Sequence, residues 1–238
     1  YQSARLLYQL NDLERALPIF QYMAQNHGGT QEGKLSAQLV LDIYNLRKDY
    51  KSVAQYAKAY QANAADSGTR AELGQLEQKA LIKTIQEEEA SAKVATGEEK
   101  LQLLATVAGK YFDFAKSYPH SHLVDASLWA ATENFAFVAA EKNDHGDVYQ
   151  SLKSVFHLLT SKYDNSTFTP KAITLMGKFL SQRRTSTKEL QEFSKFRSRW
   201  ATDMKREPLA HRGLMAMMIF KMSNSAERAA LVREFASY

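Results

Sequence analysis

Apolar residues recur every three or four positions along most of the chain, and short polar breaks separate the runs. This spacing places the apolar side chains on one face of an α-helix. Two breaks of similar composition, Asn11-Asp12-Leu13 and Lys48-Asp49-Tyr50, lie 37 residues apart. An Asp before a helical run accepts hydrogen bonds from free backbone N–H groups, so we expect Asn11 or Asp12 to cap the second helix. The pattern therefore predicts successive helical hairpins.

The apolar faces of these first helices can be read from the same spacing. The second helix is predicted to bury Leu13, Ala16, Leu17, Phe20 and Met23. The third helix is predicted to bury Leu35, Leu39, Ile43 and Leu46. The longest helical pattern covers residues 71–94, and at ~1.5 Å per residue it exceeds 30 Å in length.

One phrase occurs twice, in residues 114–128 and residues 157–173, about 45 residues apart. In both copies an aromatic-rich helix ends at Tyr, a short polar break follows, and Ser precedes a new apolar helix. We expect Ser121 to cap the helix that follows it. A phrase repeated at this period indicates stacked helical units, which present long binding surfaces.

Residues 11–20 resemble the second helix of the tetratricopeptide repeat, with Ala16 at its small position and Phe20 at its aromatic position. Ala4 matches the small position of the first helix, whereas Leu7 stands where Tyr is usual. Tyr-Pro-His-Ser at 118–121 and Tyr-Asp-Asn-Ser at 163–166 are similar to a motif of bacterial cell-envelope repeat proteins. These proteins are of the outer-membrane-assembly and Tol-Pal-associated kinds.

The resemblance implies an all-α fold, a right-handed α-solenoid of irregular tetratricopeptide-like hairpins. The expected segments are hairpins in 1–65, a long connecting helix in 66–96, hairpins with the repeated turn in 97–180, and basic helical pairs in 181–238. In such a fold the first helix of each pair lines a concave face that receives a peptide or helix. The residues expected on that face are Arg5, Tyr8, Gln9, Gln38, Asp42 and Asn45.

The net charge of +5 is concentrated near the C-terminus, where residues 181–212 hold nine Lys and Arg against four acids. The basic ridge is formed by Arg183, Arg184, Lys195, Arg197, Arg199, Lys205 and Arg206. It is either a solvated surface or a contact for an acidic protein, an anionic glycan or lipid head groups. Nucleic acid is disfavoured, because no binding motif is present and the aromatic residues are not interleaved with the basic ones.

Catalytic chemistry finds no support in the sequence. The chain lacks Cys, and it contains none of the P-loop, GxSxG, HExxH or GxGxxG motifs. His120 and His122 flank Ser121, and we expect them to serve in capping and packing rather than as metal ligands. No apolar run approaches the ~20 residues of a transmembrane helix. We therefore expect no enzyme activity, no metal and no cofactor.

The expected function is that of a protein–protein interaction scaffold in a multi-protein complex of the bacterial cell envelope. The absence of Cys suits the periplasm, so a periplasmic or outer-membrane-associated location is expected, with the cytoplasm as the alternative. One alternative function is a solenoid arm that recruits substrates or partners to a larger enzyme. The other is a helical-repeat protein that binds anionic ligands or nucleic acid through the basic ridge.

Overall fold

The computed structural model describes residues 1–64, 66–143 and 146–182, together with residues 226, 229, 232 and 233. These residues contain nine α-helices and no strand, which confirms the all-α prediction. The helices are α1 (Gln2–Gln9), α2 (Leu13–Asn26), α3 (Gln31–Leu46), α4 (Tyr50–Ala62), α5 (Ser67–Val94), α6 (Gly97–Ser117), α7 (Val124–Glu141), α8 (Asp147–Lys162) and α9 (Thr169–Gln182).

The α1–α2 and α3–α4 turns share one backbone geometry. Asn11 and Lys48 both adopt the left-handed conformation, with φ of 60° and 56°. The Asp that follows each one caps the next helix: Asp12 accepts from the Arg15 N–H at 3.3 Å, and Asp49 from the Ser52 N–H at 3.0 Å. The capping role predicted for Asp12 is confirmed.

Contacts divide the chain into two compact units, residues 1–90 and residues 91–238. The boundary falls within α5, whose 28 residues span about 42 Å. In the first unit α2 packs against α1 and α3, and α3 also packs against α4. The buried side chains of its core include Ala4, Ala16, Phe20, Val40, Ile43, Val53 and Ala57.

The buried face of α3 differs from the predicted one. The helix buries Gly33, Ser36, Val40, Leu41 and Ile43. The predicted stripe is confirmed at Ile43 and in part at Leu39, which is partly buried and packs against the core. It was wrong at Leu46, which is 58% exposed, and Leu35 is only partly buried. Small residues face inward because the start of α3 lies close to the preceding loop. A Cβ added at Gly33 would stand 1.9 Å from the carbonyl oxygen of His27.

The second unit is organised around α7, which packs against α6, α8 and α9. Because α7 has neighbours on several sides, it buries residues around much of its circumference, including Leu128, Ala131, Phe135 and Val138. In α6 and α8 the apolar residues at helical spacing form the buried faces: Leu104, Val107, Tyr111, Leu152, Val155 and Leu159.

The repeated phrase forms the same turn twice, here named the YPHS turn (residues 118–121) and the YDNS turn (residues 163–166). The Ser121 N–H donates to the Tyr118 carbonyl at 3.0 Å, and the Ser166 N–H donates to the Tyr163 carbonyl at 3.0 Å. Each Ser Oγ accepts from the backbone N–H two residues later, at 3.3 Å for Ser121 and 3.1 Å for Ser166.

Two expectations for the YPHS turn were wrong. Among the described residues no side chain caps α7, because Ser121 closes the turn ahead of the helix instead. His120 and His122 are both exposed, which contradicts their expected packing role.

The two turns contact each other directly. The Tyr163 hydroxyl donates to the Pro119 carbonyl at 2.9 Å, and the Ser166 hydroxyl donates to the Asp125 carboxylate at 2.9 Å. Trp129, one turn into α7, stacks on Phe168 with a ring-centroid distance of 6.1 Å. The two matching turns therefore join α6–α7 to α8–α9 through direct hydrogen bonds as well as through the core.

Candidate binding site in the first unit

A cavity of about 460 Å³ opens in the first unit, with walls formed by α3 and the beginning of α5. Its floor is apolar and is formed by Ala24, Leu41, Val53 and Tyr60, all of them buried. Exposed polar side chains stand around its opening: Gln38, Asp42, Asn45, Asn63, Asp66, Thr69 and Glu72. The cavity has the volume and the mostly apolar lining of a ligand-binding site.

Half of the residues predicted to bind a partner lie in this cavity. Gln38, Asp42 and Asn45 line it, and their spacing of four and three positions places them on one face of α3. The helix is held at its start by Thr30, whose hydroxyl accepts from the Gly33 N–H at 3.1 Å. The three side chains are exposed, so they are available to a partner.

The other three predicted residues lie on α1. Tyr8 is partly buried, and its hydroxyl donates a hydrogen bond to the Asp42 carboxylate. This bond raises the pKa of Tyr8, and burial of the hydroxyl adds to the effect. Arg5 and Gln9 are exposed on α1 and do not line the cavity. The structure thus brings Tyr8, Gln38, Asp42 and Asn45 together and leaves Arg5 and Gln9 apart.

The carboxylates around the opening come from three places in the chain. Asp42 lies on α3, Asp66 precedes α5, and Glu72 lies in the first turns of α5. Thr69 donates to Asp66 through its N–H at 2.7 Å and its hydroxyl at 2.8 Å, and these bonds lower the pKa of Asp66. Lys34 is the single basic side chain among the described lining residues. The opening is therefore acidic overall.

Tyrosines on α3 and α4 form a cluster beneath the cavity. The rings of Tyr44 and Tyr56 stack at 5.2 Å, and Gln21 Nε2 donates to both hydroxyls, at 3.0 Å and 2.6 Å. Tyr60 lies 5.9 Å from Tyr56 between ring centroids. Its hydroxyl is buried and has no hydrogen-bond partner among the described residues. Burial raises the pKa of Tyr60 well above its ordinary value.

A second, more open concavity of about 380 Å³ lies beside the YPHS and YDNS turns. Its lining mixes His122 and Lys162 with Asp125 and Asp164.

Nowhere in the described part of the chain do three His, Asp or Glu side chains cluster so that they could hold a metal ion. None of the described helices combines the length with the hydrophobicity needed to cross a membrane. The seven residues of the basic ridge, Arg183 to Arg206, lie outside the described residues.

The contributions of Tyr60, Lys34, Asp66 and Glu72 to the cavity were missed by sequence reasoning. The periodicity of α4 places Tyr60 on the buried face but carries no sign that its hydroxyl lacks a partner. Nothing local predicts that the start of α5 faces α3. No family model matches the chain, and neither a curated protein nor a solved structure matches it.

Proposed function

We propose that this protein is a non-enzymatic scaffold whose first unit binds a peptide or helix of a partner protein. The observation that carries the proposal is the cavity itself, where a row of exposed polar side chains on α3 borders a buried apolar floor. Such a site can bury apolar side chains of a partner while its amides and carboxylates orient the partner's backbone.

The helical-repeat architecture is part of the proposal. It is supported by two pairs of matching turns, one pair 37 residues apart and the other 45 residues apart. Matching turns indicate that one helix–turn–helix unit recurs, as in a tetratricopeptide-like right-handed solenoid. The similarity of the YPHS and YDNS turns to the envelope-protein motif supports a periplasmic or outer-membrane-associated complex as the setting.

The test compares two triple-alanine variants of the full chain. In the cavity triple, Gln38, Asp42 and Asn45 are replaced by Ala. In the control triple, the exposed α4 residues Lys51, Gln55 and Lys58 are replaced at the same helical spacing. Proteins retained from native membrane and periplasmic fractions are quantified by mass spectrometry. We expect a partner that the wild type and the control triple retain equally and that the cavity triple loses by about tenfold or more, as for loss of interface anchors.

Equal retention by both triples would show that the cavity is not the binding site. Circular dichroism checks that each variant keeps its helical content. A direct titration of the purified partner then establishes that the contact is binary.

A further inference from the structure

We propose that the partner segment bound by the cavity is cationic: it inserts one or two large apolar side chains and carries Lys or Arg beside them. The inference rests on the proposed function and specifies the chemistry of the occupant. It follows from the apolar floor of the cavity and from the charges at its opening.

The apolar floor of the cavity determines which side chains of a partner it can accept. Leu41 and Val53 are buried at the bottom, and Leu73 and Leu76 of α5 add partly buried apolar surface to the wall. A cavity of about 460 Å³ is larger than one side chain requires, so it can accept two neighbouring apolar side chains. Removal of such side chains from water is the main driving force for binding at this site.

The charges at the opening determine what flanks the apolar side chains. Asp42 lies on α3, Asp66 precedes α5 and Glu72 lies in its first turns, whereas Lys34 is the only described cation in the lining of the cavity. Asp42 is held in place by the hydrogen bond from Tyr8, and Asp66 by two hydrogen bonds from Thr69. Carboxylates that are oriented in advance favour a cationic segment over an acidic one, because complementary charge selects partners and suppresses like-charged ones.

The test uses three fluorescein-labelled peptides of equal length and the full chain. The first carries Trp and Leu four positions apart with flanking Lys, the second replaces Lys by Glu, and the third keeps Lys but replaces Trp and Leu by Ala. Fluorescence anisotropy is expected to show that the first peptide binds about tenfold or more tightly than either of the others. Its affinity is expected to fall between 0.1 and 1 M salt, as the Debye length shrinks from about 10 Å to about 3 Å.

Matched variants assign the effect to the cavity. Glu72→Gln is expected to lower the affinity for the Lys peptide about threefold to tenfold, because one charge partner of the peptide is lost. Glu32→Gln, an exposed carboxylate of α3 that does not line the cavity, is expected to leave binding unchanged. Ala37→Trp fills the cavity and is expected to abolish binding, whereas Ala59→Trp, at an exposed position on α4, is not.

Each outcome bears on one proposal or on both. Equal binding of the Lys and Glu peptides, or binding of neither, overturns the cationic assignment. If the cavity triple still loses its native partner, the scaffold proposal survives that result. If the native partner is also retained by the cavity triple and by Ala37→Trp, both proposals fail.

Discussion

Tyrosines of one helical unit show how strongly the surroundings of a single residue decide its role. The hydroxyls of Tyr44 and Tyr56 accept hydrogen bonds from Gln21, and the hydroxyl of Tyr8 donates to Asp42. The hydroxyl of Tyr60 is buried without a partner among the described residues. Leaving such a group unsatisfied costs about 1–3 kcal/mol. The buried hydroxyl of Tyr60 therefore lowers the stability of the first unit, at a residue that lines the candidate binding site.

Replacing Tyr60 by Phe tests this at neutral pH. The variant removes the unsatisfied hydroxyl and keeps the ring, so we expect the free energy of unfolding to rise by about 1 kcal/mol. Urea unfolding followed by circular dichroism measures the change, and Tyr22→Phe, at a position 60% exposed, is the control. A loss of stability in Tyr60→Phe would show that the hydroxyl is bonded in the folded protein.

The same variant should also change how the free energy of unfolding depends on pH under alkaline conditions. The folded-state pKa of Tyr60 is raised above the ordinary value of 10.0, so above that pH the unfolded chain loses this proton before the folded protein does. The contribution of this raised pKa to the free energy of unfolding is fully present below about pH 10, and it declines as the pH rises beyond that value. We therefore expect Tyr60→Phe to show a shallower decline than the wild type above about pH 10, in the same urea experiments.

At the scale of secondary-structure elements, the YPHS and YDNS turns share one local structure but make different contacts with the rest of the protein. Ser121 and Ser166 accept the same backbone hydrogen bond within their own turns. Only Ser166 also donates to Asp125, and only Tyr163 reaches across to the Pro119 carbonyl. The local turn depends on a few adjacent residues, whereas the contact between turns depends on how α7 and α9 pack.

Ser121→Ala and Ser166→Ala form a matched pair for this point. Both remove the hydrogen bond within the turn, but only Ser166→Ala also removes a partly buried bond to a carboxylate. We expect Ser166→Ala to lower the free energy of unfolding by about 1 kcal/mol more than Ser121→Ala does. Trp129 stacks on Phe168, so its fluorescence reports on this region during denaturant unfolding. Equal losses in the two variants would contradict the contact between the turns.

At the scale of the whole molecule, the hydrophobic core is divided. The core of the first unit is built from residues between Ala4 and Ala80, with Phe20 and Ile43 among its fully buried side chains. Leu128, Leu152, Leu159 and Ile173 are fully buried in the second unit. Each unit therefore has large apolar side chains that are removed from water by its own helices.

Residues 1–94, expressed alone, should test the independence of the first unit. The fragment retains α1–α4 and the whole of α5, so we expect helical circular dichroism and one cooperative urea transition. It contains all the residues that line the cavity, and it should bind the Lys peptide with the affinity of the full chain. A fragment without a cooperative transition would show that the first unit requires the rest of the chain.

Sequence periodicity predicted α3 as a helix but identified its buried face only in part, at Ile43 and Leu39. Leu35, Leu39 and Leu46 are spaced like a core stripe, yet α3 buries Gly33, Ser36 and Val40 and leaves Leu46 exposed. Both sets satisfy helical spacing, and only the positions of the neighbouring helices distinguish them. In α4, by contrast, apolar spacing and burial coincide, since Val53, Ala57 and Tyr60 are buried.

The sequence by itself determined the helices and their turns. Asp12 caps α2 and the YPHS and YDNS phrases form matching turns because these structures depend on residues only a few positions apart. The tertiary structure alone decided the cavity, since it requires α3 and α5 to face each other around a floor shared by α2, α3 and α4. Gln38 and Glu72 are 34 residues apart, and no local pattern encodes their distance in space. Packing of apolar surface is non-directional, so which faces meet depends on all the helices together.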